Sequence, residues 1–69
     1  MHLYDFTVPE LNRFRELCNF TDDEHAYFEL RSKKKSNIEI ALSMHVSEAQ
    51  VSKLARKVKD KMKRVIELV

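Results

Sequence analysis

The segment Ser36–Met62, SNIEIALSMHVSEAQVSKLARKVKDKM, carries the pattern that decides the fold. Ser36 is followed three residues later by Glu39, which is the spacing of a capping box at the start of a helix. Ser47 and Gln50 repeat that spacing. Apolar residues follow the serines at helical intervals: Ile40, Ala41 and Met44 after the first, and Val51, Leu54 and Val58 after the second, with Val46 in the turn between them. The segment therefore predicts a helix, a tight turn and a second, longer helix, which is the layout of a DNA-binding helix-turn-helix.

Two further capping boxes precede this segment, and each pairs a threonine with a glutamate: Thr7 with Glu10, and Thr21 with Glu24. No segment alternates apolar and polar residues with a period of two, so we expect no sheet. The sequence predicts one all-α, four-helix domain over residues 1–69. Supporting helices occupy 7–34, and the helix-turn-helix occupies 36–62.

The last helix is predicted to be long, because one apolar stripe continues to the end of the chain: Val51, Leu54, Val58, Met62, Val65 and Val69. A helix of 23 residues from Ser47 onward would extend for about 34 Å. This is longer than a helix that only reads bases needs to be.

The end of this helix is apolar enough to need a cover: Val65, Ile66, Leu68 and Val69. One cover is the N-terminal helix, whose apolar stripe contains Leu11, Phe14 and Cys18. The other is a second chain, which would give a symmetric homodimer. A single small helix-turn-helix contacts few base pairs, and this favours the dimer. The four apolar residues are therefore predicted to form an oligomer interface.

The charge is divided unevenly between the two halves of the chain. Residues 1–30 contain seven acidic and two basic residues, for a net charge of −5. Residues 31–69 contain eleven basic and four acidic residues, for a net charge of +7. The basic half carries the helix-turn-helix, and clustered positive charge is typical of a phosphate-binding surface. A solvated lysine-rich helix would be the simpler interpretation of the same residues.

Composition argues against several other classes of protein. A single cysteine, Cys18, excludes an internal disulfide. No stretch approaches the ~20 apolar residues of a membrane span, and the N-terminus lacks the form of a signal peptide, so we expect a cytoplasmic protein. His25, His45 and Cys18 do not have metal-ligand spacing. With no glycine loop or catalytic constellation, we expect neither an enzyme nor a bound cofactor.

The chain also resembles the LuxR-type (FixJ/GerE-type) DNA-binding domain over residues 20–62, about two-thirds of its length. The resemblance rests on matched spacing of Thr21, Glu24, Ser36-Asn37, Glu39-Ile40-Ala41, Ser47-Glu48, Val51, Val58 and Lys61-Met62. Part of the same pattern is shared with region 4 of bacterial sigma factors. The resemblance implies a helix-turn-helix that binds DNA.

The chain departs from that family at both helix ends and at its C-terminus. The family usually has glycine where this chain has Lys34 and His45, so these residues are where a positive φ is expected. The family's separate last helix, its usual dimer contact, is replaced by an additional N-terminal helix. The resemblance therefore does not imply that this chain dimerises through the contact that the family uses.

The N-terminal part of a recognition helix enters the major groove, which indicates Ala49, Gln50 and Lys53 as base-contacting residues. Glutamine can pair with adenine, lysine can donate to guanine, and alanine can contact the thymine methyl group. Helix starts and flanking cations indicate the phosphate contacts: Ser36, Asn37, Ser47, Ser52, Arg56, Lys57, Lys34 and Lys35.

These features predict sequence-specific binding to double-stranded DNA, in bacterial or phage transcription regulation. A first alternative is a protein-interaction module that docks on RNA polymerase or another regulator. In that case the acidic residues Asp22, Asp23 and Glu29 would meet a basic partner. A second alternative is a fragment resembling sigma region 4, which contacts both DNA and polymerase.

Overall fold

The computed structural model describes the backbone of residues 6–68 and the side chains of residues 6–66, and within that range it contains four helices and no strand. They are α1 (Val8–Leu17), α2 (Asp22–Ser32), α3 (Asn37–Met44) and α4 (Glu48–Leu68). The predicted all-α, four-helix fold with a helix-turn-helix and a long last helix is confirmed.

Local capping explains where the helices begin. Thr7, Thr21 and Ser36 each form a complete capping box with the glutamate three residues later. In each box the hydroxyl accepts from the glutamate backbone N–H, and the carboxylate accepts from the N–H of the capping residue. At the fourth start, the Ser47 hydroxyl accepts from the Gln50 backbone N–H at 3.2 Å. Four short-range signals thus fix all four helix starts.

The core is organised around α4, which contacts each of the other three helices. One continuous cluster contains the buried apolar residues: Leu11, Phe14, Cys18, Tyr27, Phe28, Ile40, Ala41, Val51, Leu54, Val58, Met62 and Val65. Burial at intervals of three and four residues along α4 directs one face of this helix inward over its whole described length. The opposite face of α4 is left to solvent.

Three residues other than glycine have a positive φ: Asn19 at 49°, Lys34 at 66° and His45 at 58°. Lys34 and His45 are the two positions where the sequence predicts it. Each residue ends a helix as in a Schellman motif, in which the N–H of the following residue donates to the carbonyl five residues before it. Val46 N–H donates to Ala41 at 3.0 Å, and Lys35 N–H donates to Leu30 at 3.3 Å.

His45→Gly is expected to stabilise the domain by about 0.5–1 kcal/mol. The left-handed conformation costs a residue with a Cβ roughly 1–2 kcal/mol, and the greater freedom of glycine in the unfolded chain offsets part of the gain. Urea unfolding provides the measurement. Ser43→Gly, in the body of α3, is the control and should destabilise by about 0.5 kcal/mol. Equal losses in both variants would contradict a strained turn at His45.

Candidate nucleic-acid interface

The predicted base-contacting residues lie at the N-terminal end of α4. Ala49 and Lys53 are exposed, and Gln50 is half-buried. Because Val51 and Leu54 are directed into the core, Ala49 and Lys53 lie on the outer face of the helix. The turn between α3 and α4 leaves this end of α4 uncovered. It therefore presents side chains that can approach the edges of bases.

The predicted phosphate contacts are all exposed: Ser36, Asn37, Ser47, Ser52, Arg56, Lys57, Lys34 and Lys35. Capping limits what Ser36 can offer, because its backbone N–H already donates to Glu39 at 3.3 Å. Its hydroxyl accepts from Glu39 N–H at 3.2 Å and retains its own proton as a donor. The Ser47 hydroxyl is placed in the same way.

Glu39 brings a negative charge next to these residues. A backbone hydrogen bond from Ser36 keeps the pKa of Glu39 below its usual value, so the carboxylate is ionised at neutral pH. Lys35 lies 3.8 Å from Glu39 and shares its charge with that carboxylate. We therefore expect Lys35 to contribute less to phosphate binding than a lysine with no such partner.

A groove of about 440 Å³ runs between α2, α3 and α4. It brings together three predicted phosphate contacts, Asn37, Ser52 and Arg56. Lys59 and Lys63, which line the same groove, are absent from the sequence-based prediction. Lys59 and Lys63 lie seven and eleven residues after Ser52, which places them on the same side of the helix as Ser52 and Arg56. This spacing could have identified them from the sequence.

Arg31 lies on the other side of this groove, at the end of α2. Its Nη1 donates to the backbone carbonyl of Lys35 at 2.8 Å, which anchors the guanidinium beside the α2–α3 connection. Burial raises the pKa of Tyr27, and the positive charge of Arg31 offsets part of that rise. Tyr27 therefore remains neutral at physiological pH and contributes a polar but uncharged surface to the groove.

The position of α4 is fixed from the opposite side by an ion pair that the sequence did not reveal. Lys61 donates to the carboxylate of Glu24, which is only 4% exposed, and to the Asn19 carbonyl at 3.1 Å. Burial alone would raise the pKa of Glu24. Hydrogen bonds from Lys61 and Thr21 outweigh that effect and keep the pKa below its usual value.

A second ion pair connects α1 to α2. Arg15 donates to the two carboxylate oxygens of Glu29 at 2.5 and 3.0 Å, and its guanidinium carbon lies 5.4 Å from the centre of the Phe28 ring. The hydrogen bond from Arg15 is the main reason that the pKa of Glu29 is lowered. Glu29 is thus already neutralised within the chain. Asp22 and Asp23, also proposed to meet a basic partner, are exposed.

The residues predicted to form an oligomer interface differ in their surroundings. Val65 is buried in the core of its own chain and lines a groove with Phe14 of α1, as the in-chain cover requires. Ile66 is 48% exposed at the edge of that groove. The side chain of Leu68 and the whole of Val69 lie outside the described residues.

The described residues offer little to metal or thiol chemistry. No group of three or more histidine, cysteine, aspartate or glutamate side chains among residues 6–66 could hold a metal ion. Burial raises the pKa of the Cys18 thiol, so little of the reactive thiolate is present at neutral pH. No helix within residues 6–68 has the length and apolarity required to cross a membrane.

Comparisons with known proteins give no information about this interface. The chain matches no protein-family model, no curated protein and no solved structure. The resemblance to the LuxR-type domain therefore stays a prediction from the residue spacing given above.

Proposed function

We propose that the chain binds double-stranded DNA at specific sequences and acts in transcription regulation, in the cytoplasm of a bacterium or a phage-infected cell. The observation that carries this proposal is the exposed N-terminal end of α4 beside a basic groove. Gln50 and Lys53, whose side chains are suited to base edges, follow one another at an interval of three residues on α4. Arg56, whose side chain is suited to phosphates, lies three residues beyond Lys53. This is the division of contacts that sequence-specific DNA-binding proteins use.

Electrostatics support the same proposal. The net charge of +7 on residues 31–69 includes six exposed cations on α4: Lys53, Arg56, Lys57, Lys59, Lys63 and Arg64. A surface of this kind attracts the phosphate backbone whatever the base sequence. Affinity for duplex DNA should therefore fall steeply with salt, with a log–log slope of about −0.9 for each phosphate neutralised. Absence of binding to any duplex at low salt would overturn the proposal.

Replacing Gln50 or Lys53 with alanine is expected to relax the preferred sequence at one or two base pairs. Each substitution should cost roughly 1–3 kcal/mol at the preferred site and much less at random sequence. Arg56→Ala is the matched control, because removing a side chain that binds phosphate should weaken all sequences about equally. The measurement is selection of bound fragments from a random duplex pool. An unchanged motif in both the Gln50 and the Lys53 variants would contradict this orientation of α4.

A second candidate function, docking on another protein such as RNA polymerase, is favoured by one observation. Ile38 and Leu42 are 59% and 71% exposed, and they lie one turn apart on the side of α3 opposite the buried Ile40. Purified RNA polymerase provides the test. Docking predicts that Ile38→Ser with Leu42→Ser weakens polymerase binding and leaves duplex affinity unchanged. Binding of neither duplex nor polymerase by the wild-type chain would exclude both DNA binding and docking on RNA polymerase.

A further inference from the structure

The basic groove extends well beyond the part of α4 that is placed to contact bases. Ser52, Arg56, Lys59 and Lys63 follow one another at intervals of four, three and four residues, so they share one side of the helix. From first to last they extend for about 16 Å at 1.5 Å per residue. The two lysines at the far end lie well beyond Lys53, the last residue expected to contact a base.

The other side of the groove comes from different helices. Arg31, at the end of α2, is held by its hydrogen bond to the Lys35 carbonyl, and Asn37 lies in the first turn of α3. The groove thus contains four basic side chains, Arg31, Arg56, Lys59 and Lys63, and one carboxylate, that of Asp60. Cations gathered in a concave surface create a stronger local potential than the same cations spread over a convex one.

We infer that this groove holds one strand of the DNA backbone, with Arg31, Lys59 and Lys63 as phosphate-binding residues in addition to Asn37, Ser52 and Arg56. The inference rests on the proposed function and adds a second binding element to it. The cations are distributed along α4 and do not converge on one point. Such an arrangement fits a row of phosphates better than a single small anion. At about 3.4 Å of axis per phosphate on a strand, 16 Å corresponds to about five phosphates.

In this arrangement, different residues of α4 determine the sequence preference and the additional affinity for duplex DNA. Ala49, Gln50 and Lys53 then contact bases near the start of α4. Lys59 and Lys63, farther along the helix, contribute only electrostatic attraction to the backbone. Substitutions at Lys59 and Lys63 should therefore lower affinity for every duplex by the same factor. This inference accounts for the length of α4, because a shorter helix would end before Lys59 and Lys63.

The test is the salt dependence of duplex binding by a Lys59→Gln, Lys63→Gln double variant. The log–log slope should become shallower by about 1.8 relative to the wild type, because each phosphate that is no longer neutralised reduces the slope by about 0.9. The preferred sequence should stay the same. The matched control is Arg13→Gln with Lys33→Gln, which removes the same charge from exposed residues that lie outside α4 and do not line this groove. An equal change of slope in both double variants would overturn the groove as a binding site.

Asp60 gives a test of the opposite sign. Asp60→Asn removes the one carboxylate that lines the groove and should tighten duplex binding about threefold or more at low salt. Glu16→Gln makes the same change of charge on the exposed face of α1 and should leave affinity nearly unaltered. Weaker binding by Asp60→Asn, or the same gain in both variants, would overturn the inference.

Failure of this inference is distinguishable from failure of the proposed function. If the wild-type chain binds no duplex at low salt, both are overturned. If it binds with a sequence preference, but the groove variant and its control have equal slopes, only the groove is overturned. Thermal unfolding of each variant shows whether its fold is intact, and substitution of exposed residues is expected to leave the unfolding midpoint close to that of the wild type.

Discussion

Lys61→Met is expected to lower the free energy of unfolding by about 3 kcal/mol, a large share of the stability of so small a domain. The substitution leaves the buried carboxylate of Glu24 without its cation. It also removes the hydrogen bond that Lys61 donates to the Asn19 carbonyl. Breaking one partner of a buried pair costs about 3–5 kcal/mol, and Lys61, at 28% side-chain exposure, belongs at the lower end of that range.

Urea unfolding at pH 7 gives the measurement. Lys57→Met, an exposed lysine on the same helix, is the control and should change stability by no more than about 0.5 kcal/mol. Adding Glu24→Gln to Lys61→Met should recover part of the loss, because the remaining buried group is then neutral. Equal stability of the two lysine variants would contradict a structural role for the ion pair.

The same variant should have a different dependence on pH. In the wild type the pKa of Glu24 is lowered by folding. Its stabilising effect is therefore complete above the unfolded pKa and is lost as the pH falls through the folded pKa. Without Lys61, burial should raise the pKa of Glu24, and protonation would then favour the folded state. The difference in stability between wild type and variant should thus be largest near pH 7 and become smaller toward pH 4. A difference that stays constant with pH would contradict this account.

Helix starts and ends were predictable because their signals are local. A threonine or serine and a glutamate three residues later complete their hydrogen bonds within one turn, whatever the rest of the chain does. Positive φ at Lys34 and His45 was expected from the resemblance, because the LuxR-type pattern usually has glycine at these two places, and it is confirmed. Asn19, between α1 and α2, also carried a local signal, because asparagine adopts a positive φ more readily than most residues, but the prediction named only Lys34 and His45.

The interactions that fix the helices against one another were not predictable. Glu24 and Lys61 are 37 residues apart, and each had a simpler local interpretation, as a capping residue and as one of many surface lysines. Arg15 and Glu29 are separated by 14 residues and were equally hidden. The extent of the groove was only partly hidden. Spacing could place Lys59 and Lys63 on the same side of α4 as Ser52 and Arg56, but the groove exists because Tyr27, Arg31 and Asn37 of α2 and α3 lie beside them.

Phe14→Ala is expected to destabilise the domain by about 3 kcal/mol, since truncation of a buried phenylalanine typically costs about 3–5 kcal/mol. Phe14 is buried on α1, its ring lies edge-on to Phe6 at a centroid distance of 5.1 Å, and it lines a groove with Val65. Leu17→Ala is the control on the same helix. Leu17 is 53% exposed, so its truncation should cost no more than about 0.5 kcal/mol.

Phe14→Ala and Ile66→Ser together distinguish whether α1 or a second chain covers the apolar end of α4. If α1 covers Val65 within one chain, Phe14→Ala lowers stability at every protein concentration, and the wild-type chain sediments as a monomer at tens of micromolar. If a second chain supplies the cover, stability rises with protein concentration, because association adds to the free energy of the folded state. Ile66→Ser should then dissociate the dimer, because Ile66 is exposed whereas the neighbouring Val65 is buried in its own chain. A concentration-dependent midpoint together with a stable Phe14→Ala variant would overturn the in-chain cover. In that case α1 would contribute little to stability, and the dimer would be the unit that we propose binds DNA.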